Sequence, residues 1–290
     1  MSSEQPQRTG SYNHIRLIYA GQSSQLWQAR DERDGKLVAI KRLLPNCVDR
    51  SHIAMLNRDR QVVKSLEGSP LFLRFYDSGK DRGIPYLALE WFPAPSVGQL
   101  VKRKYENYAS VLPQLIPALF EPLIPLHQAG WVHCDIKPDN YLFSPDLGVK
   151  LIDFAITEKK GKNLLSRFFP RSSAIRGTAT YISPEQIDRR PLDGRTDLYC
   201  LGATILELLT GMAPFAGNSI ADLLQKHRSP NVPSAAAKNR NVTPQFDAFL
   251  RSLLSPDPNG RPSSAQEALA VAKRLPIFLQ PPDPEVSPSR

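Results

Sequence analysis

The sequence predicts an α+β fold in which a small β-rich lobe precedes a larger, mostly α-helical one. Strand-like patterns dominate from Tyr12 to Glu90, and helical periodicity dominates beyond about Pro95. The 290 residues suffice for a full hydrophobic core. With 41% hydrophobic and 22% charged residues, the composition is that of a globular protein and excludes disordered, collagenous and coiled-coil chains.

The predicted strands alternate apolar and polar residues between turn signals, and one amphipathic helix at about 49–66 interrupts them. These strands are Ile15–Tyr19, Gln25–Ala29, Leu37–Leu43, Leu73–Tyr76 and Tyr86–Leu89. Helical spacing then predicts helices at 96–106, 111–129, 197–210, 218–228, 243–254 and 263–274.

Domain organisation follows from this change of pattern. We expect a loose N-terminal tail at 1–10, a main domain at 11–275 and a poorly packing, proline-rich tail at 276–290. Within the main domain the small lobe would cover 11–90, a proline-stiffened hinge 91–95 and the large lobe 96–275. A cleft between two such lobes is a common place to bind a small ligand.

Several classes of protein are disfavoured. Three widely spaced cysteines without a C-x-x-C pair argue against a disulfide scaffold or a zinc ribbon. The polar N-terminus lacks an apolar signal region, so we expect a cytoplasmic protein. The most apolar stretch, 111–132, is interrupted by four prolines and falls short of a membrane span. The formal charge of +9 would suit nucleic acid, anionic lipid or nucleotide phosphates.

The strongest motif is His133-Cys134-Asp135-Ile136-Lys137-Pro138-Asp139-Asn140, followed by Asp153-Phe154-Ala155. Other motifs accompany it in a fixed order, and they are Val38-Ala39-Ile40-Lys41 on a predicted strand, Ser183-Pro184-Glu185, Asp197 to Gly202, and Arg261 in Asn-Gly-Arg-Pro. Together these motifs resemble those of the protein kinase family over residues 12 to about 275. The resemblance implies the two-lobed protein kinase fold and transfer of the ATP γ-phosphate to a protein hydroxyl.

The resemblance also implies roles for the reacting residues. Lys41 would contact the α- and β-phosphates and pair with a carboxylate on the small-lobe helix, which by position is Asp59. Asp135 would act as the catalytic base, and Asn140 with Asp153 would hold Mg²⁺, or Mn²⁺ in its place. Lys137, which contacts the moving phosphate in the serine/threonine branch, indicates Ser or Thr acceptors, as does Gly177-Thr178 before the Tyr181–Glu185 segment. Within the family, the chain resembles the bacterial Ser/Thr kinases.

For the adenine ring, the resemblance implies a further set of residues. These are Ile18, Leu26 and Ala39 above the ring, Leu142 below it, Leu89 as gatekeeper, the backbones of Glu90 and Phe92 at its edge, and Gly21 in the phosphate loop. Glu185 and Arg261 would form a buried ion pair, and Asp197 would brace the catalytic loop.

Five positions, two of them in the glycine-rich loop, depart from the family pattern. The glycine-rich loop keeps only its middle glycine, Gly21, since Tyr19 and Ser24 replace the other two. Asp59 is one methylene shorter than glutamate, so the helix must approach more closely, or the contact to Lys41 must lengthen or be bridged by water. Cys134 replaces an arginine that in relatives orders a phosphorylated loop. Ala155 replaces a glycine and should make the motif less ready to flip.

Residues 157–176 carry six Lys and Arg residues against Glu158 alone. Apolar residues within 164–169 share a helical face, so this segment could dock as a regulatory latch on the small lobe. A lipid surface or an acidic partner is an alternative docking site. The segment could equally be a solvated loop. Hydroxyl residues between Thr157 and Thr178 suggest autophosphorylation.

Three functions stay open. They are an active kinase, a pseudokinase that binds nucleotide and serves as a scaffold or allosteric partner, and a protein that binds nucleic acid or membrane. The third is disfavoured because the positive charge is concentrated beside the predicted active site. We therefore expect no nucleic-acid partner.

Overall fold

In the computed structural model, the residues described are 8–103, 105–162 and 180–282. The strands within them are β1 (Arg8–Thr9), β2 (Tyr12–Ala20), β3 (Ser24–Asp31), β4 (Leu37–Leu43), β5 (Phe75–Asp81), β6 (Ile84–Glu90), β7 (Trp131–Val132), β8 (Tyr141–Ser144), β9 (Gly148–Leu151) and β10 (Glu158–Lys159). The helices are α1 (Arg50–Ser65), α2 (Val97–Val101), α3 (Leu112–Ala118), α4 (Leu123–Gln128), α5 (Pro184–Ile187), α6 (Gly194–Thr210), α7 (Ile220–Arg228), α8 (Pro244–Leu253) and α9 (Ala265–Arg274). This content confirms the predicted α+β class.

Contacts divide the chain into two compact units. Unit 1 comprises residues 1–93 together with Asp153–Ala155, and unit 2 comprises 94–152 and 156–290. The three residues of the predicted metal motif therefore group with unit 1, although the chain around them belongs to unit 2.

Unit 1 is a curled antiparallel sheet with one long helix. The strand order is β1-β2-β3-β4-β6-β5, and every neighbouring pair is antiparallel. Helix α1 begins at the N-cap Asp49, whose carboxylate accepts hydrogen bonds from the Ser51 and His52 backbone N–H groups. Because side chains alternate along a strand, the sheet has two distinct faces. One face packs an apolar cluster that consists of Tyr12, Trp27, Ala29, Val38, Ile40, Tyr86 and Ala88.

The other face of the sheet carries the residues predicted to bind nucleotide. Cross-strand partners lie on the same face, and Leu26, Lys41 and Leu87 are partners in one row. Ala39 and Leu89 form the next row on the same face. The register of three strands thus places Lys41 beside a patch of buried apolar side chains.

Unit 2 is mostly helical and is centred on α6. This helix is buried along nearly its whole length and ends at Gly211, which adopts a left-handed conformation (φ 68°). The segment Ala109–Gln128 is long and apolar enough to cross a membrane on length and composition alone, with a mean hydropathy of 1.4. Half of it is buried inside the protein, and its buried leucines belong to the core of unit 2.

Several element boundaries differ from the sequence-based prediction. The helix predicted at 111–129 is broken into α3 and α4 around Pro117 and Pro122, since proline lacks the N–H that continues a helix. The helix predicted at 96–106 ends at Val101 and is followed by a short 3-10 turn at Tyr105–Asn107. The strand predicted at Leu73–Tyr76 begins at Phe75 and extends to Asp81.

Parts of both predicted tails are packed, which corrects their description as loose. Arg8 and Thr9 form β1 and pair with β2, and Thr9 is buried. Near the other end, Ile277 is buried and its carbonyl oxygen accepts a hydrogen bond from the Thr243 N–H at 3.0 Å. Phe278 forms a bridge with Val242. An apolar side chain among the prolines of this segment, that of Ile277, is thus buried in the core, which the proline-rich composition did not predict.

Candidate active site

In unit 1, Lys41 forms two short ion pairs. Its Nζ lies 2.6 Å from Asp59 Oδ2 on α1 and 2.8 Å from Asp153 Oδ1. Burial opposes the charge on Lys41, but the carboxylates of Asp153 and Asp59 outweigh this effect and raise the pKa of Lys41 above its ordinary value. Lys41 is therefore a fixed ammonium group.

Asp59 is shared between Lys41 and the backbone of the metal motif. Its second oxygen, Oδ1, accepts a hydrogen bond from the Phe154 N–H at 3.2 Å. The Asp59 side chain is only 3% exposed. The sequence left open whether Asp59 contacts Lys41 directly, at a longer distance or through water. The structure shows the direct contact, so the predictions of a longer or water-bridged contact are wrong. A short carboxylate is sufficient because α1 and the Asp153-Phe154 backbone both lie within reach of it.

The metal motif has an unusual backbone at its first residue. Asp153 adopts φ 65°, in the left-handed region that residues with a Cβ seldom occupy. Phe154 is buried, and its ring makes an edge contact with Phe72 at 5.8 Å between centroids. The anchored Phe154 side chain and the Asp59–Phe154 hydrogen bond account for how this backbone is held.

In unit 2, Asp135 is the centre of a second polar group. Its Oδ2 accepts hydrogen bonds from Lys137 Nζ at 2.6 Å and from Asn140 Nδ2 at 2.9 Å. Asn140 Nδ2 also donates to the Asp135 carbonyl oxygen at 2.7 Å. Since both N–H groups of the Asn140 amide point to Asp135, its amide oxygen is turned away from that residue and can serve as a metal ligand.

The loop that carries Asp135 is held by Asp197, as predicted. The buried Asp197 carboxylate accepts hydrogen bonds from the His133 N–H at 2.8 Å and the Cys134 N–H at 2.9 Å. These bonds fix Cys134 in a left-handed conformation (φ 70°). Asp197 also lies 2.8 Å from His127 Nε2, a partner that our sequence reasoning missed. The signal was an ionisable residue at the end of an otherwise apolar helix.

His133 and Cys134 are structural in this arrangement. His133 is buried, with Nε2 3.1 Å from the Ile152 carbonyl oxygen. Cys134 is also buried, and burial together with the nearby Asp197 carboxylate raises the pKa of its thiol well above the ordinary value. A thiol in such surroundings is unreactive.

The predicted ion pair of the large lobe is present. Arg261 binds both carboxylate oxygens of Glu185, at 2.7 and 3.0 Å, and the Thr196 hydroxyl donates to Glu185 Oε1 at 2.9 Å. Arg261 also donates to the backbone oxygens of Ser255 and Arg195. Every strong donor and acceptor of this buried pair is therefore used within unit 2.

The residues predicted to contact adenine divide between the units. Leu26, Ala39 and Leu89 share the sheet face of Lys41, and Ile18 lies on the edge of the same region at a β-bulge. Glu90 and Phe92 come shortly after Leu89 in the sequence and also belong to unit 1. The Glu90 N–H donates a hydrogen bond to the Arg74 carbonyl oxygen. Leu142 lies in unit 2 on β8.

Only the beginning of the basic segment lies within the described residues. Glu158 and Lys159 form β10, which pairs with β7, and the Lys159 ammonium lies 3.6 Å from the centre of the Trp131 ring. Thr157 is buried, with its hydroxyl near the His133 carbonyl oxygen, so it does not suit phosphorylation as predicted. The apolar residues at 164–169 and the hydroxyl residues Ser166, Ser172, Ser173 and Thr178 lie outside the described residues.

Comparison with known proteins agrees with this geometry. The family model for the protein kinase domain matches residues 12–272. A probable serine/threonine-protein kinase of Streptomyces coelicolor is 32% identical over 91% of this chain and 40% of its own length. PknL of Mycobacterium tuberculosis is 30% identical over 91% of this chain and 67% of its own. PknB of Mycolicibacterium smegmatis is 29% identical over 93% of this chain and 44% of its own length.

The chain thus spans about two fifths of the first of these relatives and two thirds of PknL. Members of this family use ATP with a divalent metal ion. The matched region includes both polar groups described above, the one around Lys41 and the one around Asp135. The chain belongs to the protein kinase family and is of the bacterial serine/threonine type.

Proposed function

We propose that this chain transfers the γ-phosphoryl group of ATP to serine or threonine hydroxyls of proteins, with Asp135 as the base. The observation that carries this proposal is the Asp135 carboxylate, which is oriented by Lys137 at 2.6 Å and Asn140 at 2.9 Å. Phosphoryl transfer depends mainly on positioning and on neutralising charge. Two donors on one oxygen of Asp135 leave its other oxygen to accept the proton of an acceptor hydroxyl.

In the proposed reaction, the acceptor oxygen bonds to the γ-phosphorus and the bond to the β,γ-bridging oxygen breaks, which releases ADP. The hydroxyl proton passes to Asp135. Lys41 would offer its ammonium group to the phosphates, and Lys137 would contact the moving group. A bound divalent ion would supply Lewis-acid neutralisation of phosphate charge.

Asn140 and Asp153 are the residues we propose to hold the metal ion. A carboxylate and an amide oxygen are hard donors, which suit Mg²⁺ or Mn²⁺. The Asp153 side chain is 42% exposed, so a hydrated ion can reach it. We further infer a cytoplasmic location and protein substrates, with cell fractionation and phosphoproteomics as the respective tests.

The experiment that tests the function is label transfer from radiolabelled ATP to a generic basic protein, with Mg²⁺ or Mn²⁺, followed by phosphoamino-acid analysis. We expect label on serine and threonine, and none with Asp153→Ala. Transfer onto tyrosine alone would contradict the acceptor class. Metal-dependent ATP binding without any transfer would contradict an active kinase and support a pseudokinase.

The short carboxylate at position 59 gives a second prediction. We expect Asp59→Asn to lower kcat/KM about 10- to 100-fold, since its amide would direct N–H groups at either Lys41 or the Phe154 N–H. We expect Asp59→Glu, although it restores the family residue, also to lower kcat/KM, because an extra methylene overpacks a site that is 3% exposed.

The measurement is steady-state kinetics with varied ATP, alongside the thermal midpoint of each variant. Asn57→Gln, at an exposed neighbouring position on α1, serves as the control and should leave kcat/KM within about twofold, as most surface substitutions do. A gain in kcat/KM for Asp59→Glu would contradict the close approach of α1.

A further inference from the structure

Tyr19 occupies a position where the family's nucleotide loop has a glycine, and the sheet register determines which face it is on. β2 contains a bulge at Ile18, because Leu17 pairs with Trp27 whereas Tyr19 pairs with Leu26. Leu26 in turn pairs with Lys41. Tyr19 and Lys41 are therefore in the same row and on the same face of the sheet, with one strand between them. At the usual strand spacing, their Cα atoms are about 10 Å apart.

The Tyr19 ring lies against Gly21 at the tip of the β2–β3 hairpin. A Cβ atom on Gly21 would be 2.8 Å from Tyr19 Cε1 and 3.2 Å from its hydroxyl oxygen. A side chain at position 21 would therefore displace the Tyr19 ring, and this steric effect would act alone, since the φ of Gly21 is not in the left-handed region. Tyr19 is 62% exposed, so its hydroxyl is accessible at the loop tip.

The loop itself is tied to the strand that carries Lys41. The Gly21 N–H donates to the Ser24 carbonyl oxygen at 2.9 Å, which closes the turn. The Leu44 N–H, directly after β4, donates to the Ser23 carbonyl oxygen at 2.9 Å. The Cys47 thiol donates to the Gln22 carbonyl oxygen at 3.5 Å. These bonds fix the loop, and with it Tyr19, relative to β4 without the two missing glycines.

We propose that the Tyr19 hydroxyl donates a hydrogen bond to a phosphate oxygen of the bound nucleotide, which makes Tyr19 a nucleotide-binding residue of this chain. The inference rests on the proposed function, because it assumes that Lys41 contacts the same phosphates. A phenol hydroxyl is a good donor, and a hydrogen bond to an anionic oxygen is stronger than one between neutral groups. Tyr19 thus takes over part of the phosphate binding that glycine backbone provides in relatives.

The test compares nucleotide affinities by titration calorimetry with ATP, ADP and adenosine in the presence of Mg²⁺. We expect Tyr19→Phe to weaken ATP binding about tenfold and to leave adenosine binding within twofold, because adenosine has no phosphate. Tyr76→Phe is the matched control, since Tyr76 is a comparably exposed tyrosine of unit 1, and it should change neither affinity.

A second pair of variants tests the position of the ring. Gly21→Ala should weaken ATP binding in the wild-type background, where the new methyl group displaces Tyr19. In the Tyr19→Gly background the same substitution should weaken ATP binding less than in wild type, since the clash with the Tyr19 ring is absent. Equal effects in both backgrounds would overturn the proposed ring position.

The outcomes separate this inference from the proposed function. If wild type transfers phosphate but Tyr19→Phe keeps its ATP-to-adenosine affinity ratio, the Tyr19 inference is wrong and the kinase function stands. If wild type binds ATP without transfer and Tyr19→Phe lowers the ratio, the inference stands and the catalytic proposal is wrong. If wild type binds no ATP, both are wrong.

Discussion

Replacing Asp135 with asparagine is expected to lower kcat about 10²- to 10⁴-fold, the range over which a positioned general base contributes. Asparagine keeps the shape of the side chain and can still accept a hydrogen bond from Lys137 or Asn140, so the loop should remain folded. It cannot take up the proton of the acceptor hydroxyl. ATP affinity should therefore stay within about twofold of wild type.

The measurement is single-turnover transfer to a Ser/Thr acceptor, combined with ATP titration of the same sample. Asp146→Asn is the matched control, because it makes the same substitution at an exposed position in the β8–β9 turn of unit 2. It should keep kcat within twofold. An Asp135→Asn enzyme with more than about a tenth of wild-type kcat would mean that Asp135 is not the base.

Breaking the Glu185–Arg261 pair is expected to have the largest effect on stability. Arg261→Met leaves the buried Glu185 carboxylate with the Thr196 hydroxyl but without its Arg261 partner, and it removes donors from three backbone oxygens. Loss of one partner of a buried ion pair typically costs about 3–5 kcal/mol. We expect Arg261→Met to lower the free energy of unfolding of unit 2 by that amount.

Urea unfolding followed by tryptophan fluorescence measures this effect, since Trp131 is buried in unit 2. Arg261→Lys should fall between wild type and Arg261→Met, because lysine keeps the charge but loses the two-pronged contact. Lys273→Met is the control, since its ion pair with Glu121 is exposed and contributes at most about 1 kcal/mol. A loss of less than about 1 kcal/mol for Arg261→Met would show that this pair does not hold unit 2 together.

Much of the fold was predictable from local pattern. β4 was predicted with both ends correct, and α1 within a residue or two, because a strand with alternating faces and a capped amphipathic helix are specified by their own residues. Prediction was poorer around Leu112–Gln128, where apolar periodicity predicts one helix, whereas the structure has two helices that are separated near Pro117 and Pro122. The packing of the predicted tails could not be predicted locally either, because Ile277 is buried by residues that are distant in the sequence.

Lys41, Asp135, Asn140 and Asp153 could be predicted as candidate-site residues from local sequence, because they stand in motifs whose residue types suit phosphoryl transfer. How these side chains are held depends instead on contacts between distant parts of the chain. Lys41 and Asp153 are 112 positions apart and yet are ion-paired, and Asp59 contacts Lys41 directly because α1 brings its shorter side chain within 2.6 Å. The position of Tyr19 on the Lys41 face was likewise fixed by a bulge, which shifts the register by one residue and changes the face on which a side chain lies.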